Sequence, residues 1–292
     1  MKVGLISTFG ARQFGFWEAY LNELGVELML PALSASEVYE VGRQSLQDEP
    51  PQVQLALGRV LELERADLIL LPALAPVAQD AWGEAFAELL PRRLSGLPPL
   101  QTLPDGGPEL SGEAARLGQR LVHNAARVQR ALERVRPLAQ PPRSAMPPLT
   151  APGRQTVLVI GPRALLAEPF LAGQLREQLD ALGLHAVYSS DLPPEAVLER
   201  AQRYGPAPLG QQLLQGAQSL LEGKAAVKGL LYVAPERDVA HQQALQRLAA
   251  GTHKPHATLL LSPETTDYSE LERFRDRLAV GASARPVAEE DR

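Results

Sequence analysis

The chain has 292 residues, of which 45% are hydrophobic and 22% are charged, and its formal net charge at pH 7 is −5. This length is enough for two domains with ordinary cores, and the composition is typical of a soluble globular protein. The acidic balance argues against a nucleic-acid-binding protein, which normally carries a strongly basic domain. No apolar run reaches the roughly 18 residues of a membrane span, and no signal-peptide pattern follows Met1. The sequence therefore predicts a cytoplasmic protein.

In its first half the sequence predicts strands that alternate with helices. In chain order these are a strand over Val3–Ile6, a helix over Phe14–Leu24, a strand over Val26–Leu30, helices over Glu37–Gln47 and Val53–Glu64, a buried strand over Leu68–Leu71 and a short strand over Leu97–Leu103. A long helix follows over Glu113–Arg136, because apolar residues recur there every three or four positions. Its arginines indicate either an anion- or partner-binding face or a solvated helix surface.

A proline-rich segment, residues 137–153, predicts a linker, since proline is excluded from helix interiors and central strands. The second half again alternates. It predicts strands over Val157–Ile160, Ala186–Ser189, Gly229–Val233 and Ala257–Leu261, and helices over Phe170–Leu182, Pro194–Tyr204, Pro208–Glu222, Val239–Ala250 and Tyr268–Leu278. The predicted organisation is thus a lobe over residues 1–136, the linker, a lobe over residues 154–280 and a frayed tail over residues 281–292.

The second lobe restates the first. Lys2–Pro31 and Thr156–Ser190 each predict a strand, a polar turn, an amphipathic helix that ends in Leu-Gly, and a second strand. Strands that alternate with helices are typical of parallel sheets with right-handed crossovers. We therefore expect an α/β protein with two Rossmann-like lobes and mainly parallel sheets. The cleft between the lobes, at the carboxyl ends of the strands, is where such folds bind ligands.

The turn after the first strand contains Ser7, Thr8 and Arg12 ahead of a helix, which is a plausible cradle for an anion. It matches neither common phosphate-binding motif, and Ser7 and Thr8 could instead cap the helix. Arg163 follows the equivalent strand of the second lobe. Two arginines that converge on the cleft would suit a carboxylate or phosphate.

The candidates for acid–base chemistry are four carboxylates, Asp48, Glu49, Glu236 and Asp238. Adjacent carboxylates can shift each other's pKa, but neighbours at a helix end do not face a common point, so a solvated helix terminus is the competing interpretation. The sequence has no cysteine, which excludes disulfides, thiolate nucleophiles and cysteine-ligated metal centres. The five histidines form no ligand pattern. We expect no metal and no cofactor.

Three stretches resemble subunits of the 2-hydroxyacyl-CoA dehydratases and the related CoA-enzyme activases. They are VGLISTFG with FWEAYLNELGVELMLP at the start, GRQSLQDEPPQVQLALGRVLELERADLILLP, and VLVIGPRALLAEPFLAGQLREQLDALG with SPETTDYSELERFRDRL in the second half. The resemblance implies two α/β lobes and an acyl-CoA ligand. In that family, cysteines hold an iron–sulfur cluster that passes an electron to the substrate thioester.

This chain departs from the family where those cysteines belong. Pro50 or Pro51 stands at the first position, Arg59 replaces a histidine, and Val233–Glu236 holds no thiol. Prolines and carboxylates do not replace thiolates as cluster ligands. The resemblance therefore implies a non-catalytic subunit that binds an acyl-CoA or another anionic ligand, for regulation or assembly. The alternatives are an enzyme with cluster-independent hydrolase or lyase chemistry on a thioester, and a purely structural partner of a cysteine-bearing paralogue or of a second copy of itself.

Overall fold

The internal repeat is present in the structure as two four-stranded sheets with equivalent strand orders. The computed structural model describes residues 1–139 and 145–283, and every strand pair in both sheets is parallel. The predicted α/β class with two Rossmann-like lobes is confirmed. No helix in the described ranges is long and apolar enough to cross a membrane.

The first lobe contains four strands and six helices. In chain order they are β1 (Lys2–Leu5), α1 (Phe14–Glu23), β2 (Glu27–Met29), α2 (Ala35–Ser45), α3 (Pro51–Glu62), β3 (Leu68–Pro72), α4 (Ala81–Arg93), β4 (Leu100–Leu103), α5 (Leu110–Val122) and α6 (Ala125–Ala139). The strand order is β2-β1-β3-β4. The chain reverses direction in strand order between β1 and β3, which is the point where ligands bind in open parallel sheets.

The second lobe repeats this plan. It contains β5 (Gln155–Ile160), α7 (Arg163–Leu166), α8 (Pro169–Ala181), β6 (Leu184–Tyr188), α9 (Pro194–Ala201), α10 (Leu209–Leu221), β7 (Val227–Pro235), α11 (Val239–Ala250), β8 (His256–Leu261) and α12 (Ser269–Ser283), with short 3-10 turns at Ser189–Asp191 and Gln202–Tyr204. The strand order β6-β5-β7-β8 is equivalent to that of the first lobe, so the reversal falls between β5 and β7.

The long helix predicted over Glu113–Arg136 is wrong, because the structure contains two helices there. α5 ends where His123 adopts a left-handed conformation with φ 49°. Asn124 then accepts a hydrogen bond from the backbone N–H of Arg127, at 3.0 Å, which caps α6. The continuous apolar stripe masked this break, since α5 and α6 use it to cover the same side of the sheet.

Several predicted boundaries also differ. α4 and α7 are additional helices, and β7 is nine residues long where five were predicted. α6 continues to Ala139, three residues into the predicted linker, of which residues 140–144 lie outside the described residues. α12 continues to Ser283, so residues 281–283 of the predicted tail are helical, and residues 284–292 lie outside the described residues.

α2 and α3 cross each other closely, and together they pack on the second lobe. Gly42 and Gly58 lie at the crossing, where an added methyl group would overlap the backbone carbonyl of Gln54 or Val38, respectively. Val38 and Tyr39 of α2 and Leu55 of α3 belong to a core cluster formed mainly by the second lobe. The Tyr39 and Phe170 rings lie 5.3 Å apart. This helix pair therefore belongs to the first lobe by sequence and packs on the second.

Candidate functional site

The carboxyl ends of the two sheets face each other, so both reversal points lie at the junction between the lobes. The turn after β1 contacts the start of α7, because the Arg163 Nε donates to the Gly10 carbonyl at 2.6 Å. The loop after β3 contacts α10, where the Gly210 N–H donates to the Pro76 carbonyl at 2.8 Å. In open parallel sheets, ligands bind at the carboxyl ends of the strands beside the reversal point, which in this protein is the junction.

Arg12, Arg163 and Asp105 form a group at this junction, here called the Arg12 cluster. Asp105, in the loop after β4, accepts hydrogen bonds from the backbone N–H groups of Arg12 at 2.6 Å and Gln13 at 2.9 Å. A carboxylate from a distant loop thus satisfies donors at the start of α1. The interpretation of Ser7 and Thr8 as caps of α1 is wrong, since its N-cap is Gln13.

Arg163 is engaged on both sides of the junction. Besides its bond to Gly10, its Nη1 donates to the Ser190 carbonyl at 2.5 Å. Burial lowers the pKa of Arg163, and the nearby carboxylates Asp105 and Asp191 oppose that shift. Gly10 has φ 67°, and an added Cβ there would lie 2.9 Å from the Arg163 side chain. Arg163 therefore ties the lobes together through backbone carbonyls, a role that the sequence did not predict.

Arg12 differs from Arg163, because its guanidinium forms no hydrogen bond or ion pair in the part of the chain that the structure describes. Arg12 is partly buried. Burial and the neighbouring charge of Arg163 lower the pKa of Arg12 to about 10, and Asp105 opposes this shift. Asp105 and Asp191 are the carboxylates that act on this arginine pair, and neither accepts a hydrogen bond from the Arg12 guanidinium.

Ser7 and Thr8 lie on the same turn as Arg12. Ser7 is exposed, Thr8 is buried, and the Thr8 carbonyl accepts the Ala11 N–H at 3.1 Å to close the turn. Within residues 1–139 and 145–283, neither hydroxyl forms a hydrogen bond. The predicted residues Ser7, Thr8 and Arg12 are thus neighbours on one turn, and Arg163 reaches the same turn through its contact with Gly10.

A second polar group at the junction, here called the His241 cluster, comprises His241, Asp238, Asp80 and Gln52. His241 Nδ1 lies 2.9 Å from Asp238 Oδ2 and 3.9 Å from Asp80 Oδ2. Gln52 Nε2 donates to the same Asp238 oxygen at 2.8 Å. All four residues are buried, with relative exposures of 5–8%. Asp80 and Gln52 come from the first lobe, whereas Asp238 and His241 come from the second.

The two aspartates occupy equivalent positions in the repeat. Asp80 caps α4 after β3, accepting the Gly83 N–H at 2.8 Å, and Asp238 caps α11 after β7, accepting the His241 N–H at 3.0 Å. In each case the preceding residue, Gln79 or Arg237, has a positive φ. Sequence reasoning missed Asp80, Gln52 and His241. Asp80 could have been found by aligning the loop after β3 with the loop after β7, because each loop has an aspartate that caps the next helix.

Burial and hydrogen bonding act in opposite directions on the pKa values of the two aspartates in this cluster. Burial acts to raise the pKa of Asp238, but the hydrogen bonds from His241 and Gln52 and the charge of His241 together lower it. Burial raises the pKa of Asp80, opposed by its bond to Gly83 and by His241. The two caps therefore differ, since Asp238 is held as the carboxylate and Asp80 is less easily ionised.

The lowered pKa of Asp238 predicts an acid-dependent loss of stability. A carboxylate whose folded pKa lies below its unfolded value, near 3.9, stabilises the fold above that pH and loses this contribution as the pH falls through the folded pKa. We expect Asp238→Asn to be less stable than the wild type at pH 7, with the difference shrinking as the pH falls below about 4. Urea unfolding across this range measures it. An exposed control, Asp276→Asn, should remain parallel to the wild type, and an unchanged Asp238→Asn difference would contradict the assignment.

The four predicted acid–base carboxylates do not form a catalytic group. Glu49 accepts a hydrogen bond from the indole of Trp82 at 2.6 Å and lies 3.8 Å from Arg93. Asp48 is exposed, Glu236 is half-buried, and Asp238 belongs to the His241 cluster. In the described ranges, the four share no hydrogen-bonding partner. Among all the residues that the structure describes, no group of three or more His, Cys, Asp or Glu side chains is arranged to hold a metal.

The positions at which the family resemblance requires cysteine or histidine have structural roles here. Pro50 and Pro51 begin α3, where proline is favoured because its missing N–H needs no partner. Arg59 pairs with Glu168 of the second lobe at 3.4 Å, with both side chains largely buried. Val233–Pro235 lies at the buried end of β7. These residues hold helices, strands and lobes in place.

Two cavities lie in the first lobe. One, of about 340 Å³, lies near the carboxyl ends of β3 and β4, and its lining includes Leu71, Phe86 and Thr102. The other, of about 300 Å³, lies between the end of α1 and the first half of α6, and its lining includes Arg127 and Arg130. No residue of the second lobe lines either cavity.

Comparison with known proteins identifies no relative: no protein-family model, no curated protein and no solved structure matches this chain. The resemblance to the dehydratase and activase proteins therefore stays a prediction, based on the stretches quoted above.

Proposed function

We propose that this protein is a non-catalytic ligand-binding protein that holds the anionic group of a small molecule, such as an acyl-CoA, beside Arg12 at the junction of its lobes. The observation that carries this proposal is the Arg12 guanidinium, which is partly buried beside a second arginine and has no acceptor in the described structure. Partial burial costs a charged group solvation, and an anionic ligand would compensate that cost.

The chemistry of the neighbouring groups supports an anion over a cation or a neutral ligand. Arg163 contributes positive charge from the second lobe, and a phosphate or carboxylate would supply the acceptor that the Arg12 guanidinium lacks in the described structure. Ser7 and Thr8 offer hydroxyl groups on the same turn. A ligand held there would contact residues of both lobes, which suits a regulatory or assembly role.

The absence of catalysis is supported by how the acid–base groups are used. His241 and Asp238 are hydrogen-bonded to each other and buried, with relative exposures of 5% and 6%. A general acid or base must reach the proton that it transfers, directly or through one water. Glu49 is held by Trp82. These groups stabilise the fold, and the Arg12 cluster is left to bind a ligand.

Thermal unfolding with coenzyme A, acetyl-CoA and inorganic phosphate tests the proposal. A ligand at 100 times its dissociation constant stabilises the folded state by about 2.7 kcal/mol, and we expect a rise in Tm of several degrees for at least one of the three. Arg12→Gln should abolish the shift, because it removes the unpaired charge and keeps much of the side-chain volume. Arg65→Gln, at an exposed arginine of the same lobe, should leave it unchanged.

Two results would contradict the proposal. One is the absence of a shift with all three ligands in the wild type. The other is a shift that persists in Arg12→Gln. Arg163 is unsuited to this test, since its loss would also remove the contacts with Gly10 and Ser190 and would confuse binding with stability.

A further inference from the structure

A second site with positive charge lies far along the chain from Arg12, in the groove between the end of α1 and the first half of α6. We propose that this α6 groove binds the diphosphate group of a small phosphorylated ligand. The groove is open to solvent and has a volume of about 300 Å³; Arg127 and Arg130 are exposed in it. Its lining residues are Glu23, Asn124, Ala126, Arg127, Arg130, Ala131 and Arg134. The volume is at the lower end of small-molecule sites, which suits a compact anion.

Three arginines of the groove lie on one face of α6, and one of the three forms an ion pair within the described ranges. Arg134 forms an ion pair with Glu23, which neutralises both side chains. The guanidinium groups of Arg127 and Arg130 have no hydrogen-bond or ion-pair partner within the described ranges. Residues three apart on a helix are neighbours, so two unpaired guanidinium groups face one cavity.

The backbone around the groove favours an anion as well. The first residues of α6 line it, and the start of a helix carries a partial positive charge. Gly25, just after α1, has φ 59° and lacks the Cβ that would collide with the Arg127 guanidinium. The missing side chain leaves room for Arg127 to lie over the end of α1, beside the cavity.

A diphosphate matches this arrangement better than a single carboxylate does. Each arginine presents a planar fork of N–H donors that binds phosphate oxygens in pairs. Two forks, one helical turn apart, can each take one phosphoryl group. The chain as a whole has a net charge of −5, so its overall charge repels a polyanion, and binding depends on the local charge of the groove.

Calorimetric titration with inorganic pyrophosphate and with ADP tests this site in the full chain. The background is Arg12→Gln, so that the Arg12 cluster cannot contribute to binding. We expect saturable binding of at least one of the two ligands. Pyrophosphate as the tighter ligand would identify a free diphosphate, and ADP a nucleotide. Adding Arg127→Gln and Arg130→Gln should weaken binding by about tenfold or more, since two charged contacts are lost.

The matched control removes the same charge from the neighbouring helix, with Arg116→Gln and Arg120→Gln on α5. Arg116 pairs with Glu113, and Arg120 bonds to Gln101. We expect this pair to change the dissociation constant by less than about twofold, because exposed charges act weakly at a distance. Absence of binding by both ligands would overturn the proposal, and so would equal weakening by the two pairs of substitutions.

Discussion

Replacing Asp238 with alanine is expected to lower the free energy of unfolding by about 3–5 kcal/mol, because α11 loses its cap and buried donors lose their acceptor. Asp238 caps α11 through one carboxylate oxygen and accepts from His241 and Gln52 through the other. Alanine leaves all three donors without this acceptor in a buried setting. Because Gln52 belongs to the first lobe, the substitution also removes a contact between the lobes. Equilibrium urea unfolding measures the change.

Asp267→Ala provides the matched control for Asp238→Ala. Asp267 also accepts a hydrogen bond from a backbone N–H, that of Ser269 at 2.9 Å, but it is exposed and has no partner in the other lobe. We expect a much smaller loss of stability there. Similar losses in the two variants would mean that the buried His241 cluster adds little beyond an ordinary cap, and would contradict its assigned role at the junction.

Gly58→Ala is expected to destabilise the protein by about 3 kcal/mol, at the upper end of the usual cost of overpacking. The added methyl group would overlap the Val38 carbonyl, a backbone atom that cannot move without separating α2 from α3. Val38 and Leu55, from the two helices, pack into the core of the second lobe. A shift at the crossing therefore disturbs the attachment between the lobes. Thermal unfolding of the variant measures the cost.

Gly173→Ala tests whether steric contact or the glycine itself causes that loss. Gly173 lies within α8, and a Cβ there would meet no atom within 4 Å. Alanine is favoured over glycine inside helices by roughly 0.5–1 kcal/mol, so we expect this variant to be slightly more stable than the wild type. Destabilisation in both variants would remove the helix crossing as the explanation.

The fold was predictable because its signals are local. The apolar strand of residues 68–71 and the Leu-Gly endings at Gly25 and Gly183 identify strands and helix ends from neighbouring residues alone. The repeat then predicts the same topology twice. The helix break at His123 escaped prediction because α5 and α6 present their apolar residues to one core, so the periodicity continues across a change of direction.

The site was only partly predictable, because its partners are remote in sequence. The equivalent positions of Arg12 and Arg163 after β1 and β5 suggested that both reach the junction, and in the structure Arg163 contacts the turn that carries Arg12. Their different use depends on Gly10, Ser190 and Asp105, which no spacing rule connects to them. Asp238 was a candidate for catalysis on local grounds. Its bond to Gln52 spans 186 positions, and that bond shows it to be part of the lobe contact.

The equivalence of Asp80 and Asp238 has a consequence for how such a molecule can arise. Three residues after Asp80 stands Gly83, and three residues after Asp238 stands His241. A side chain at Gly83 would overlap the carboxylate of Asp80, so the imidazole of His241 has no counterpart in the first lobe. An assembly of two identical half-length chains would carry the same residue at both places. When the two halves belong to one polypeptide, the second half can carry histidine at this position while the first half carries glycine.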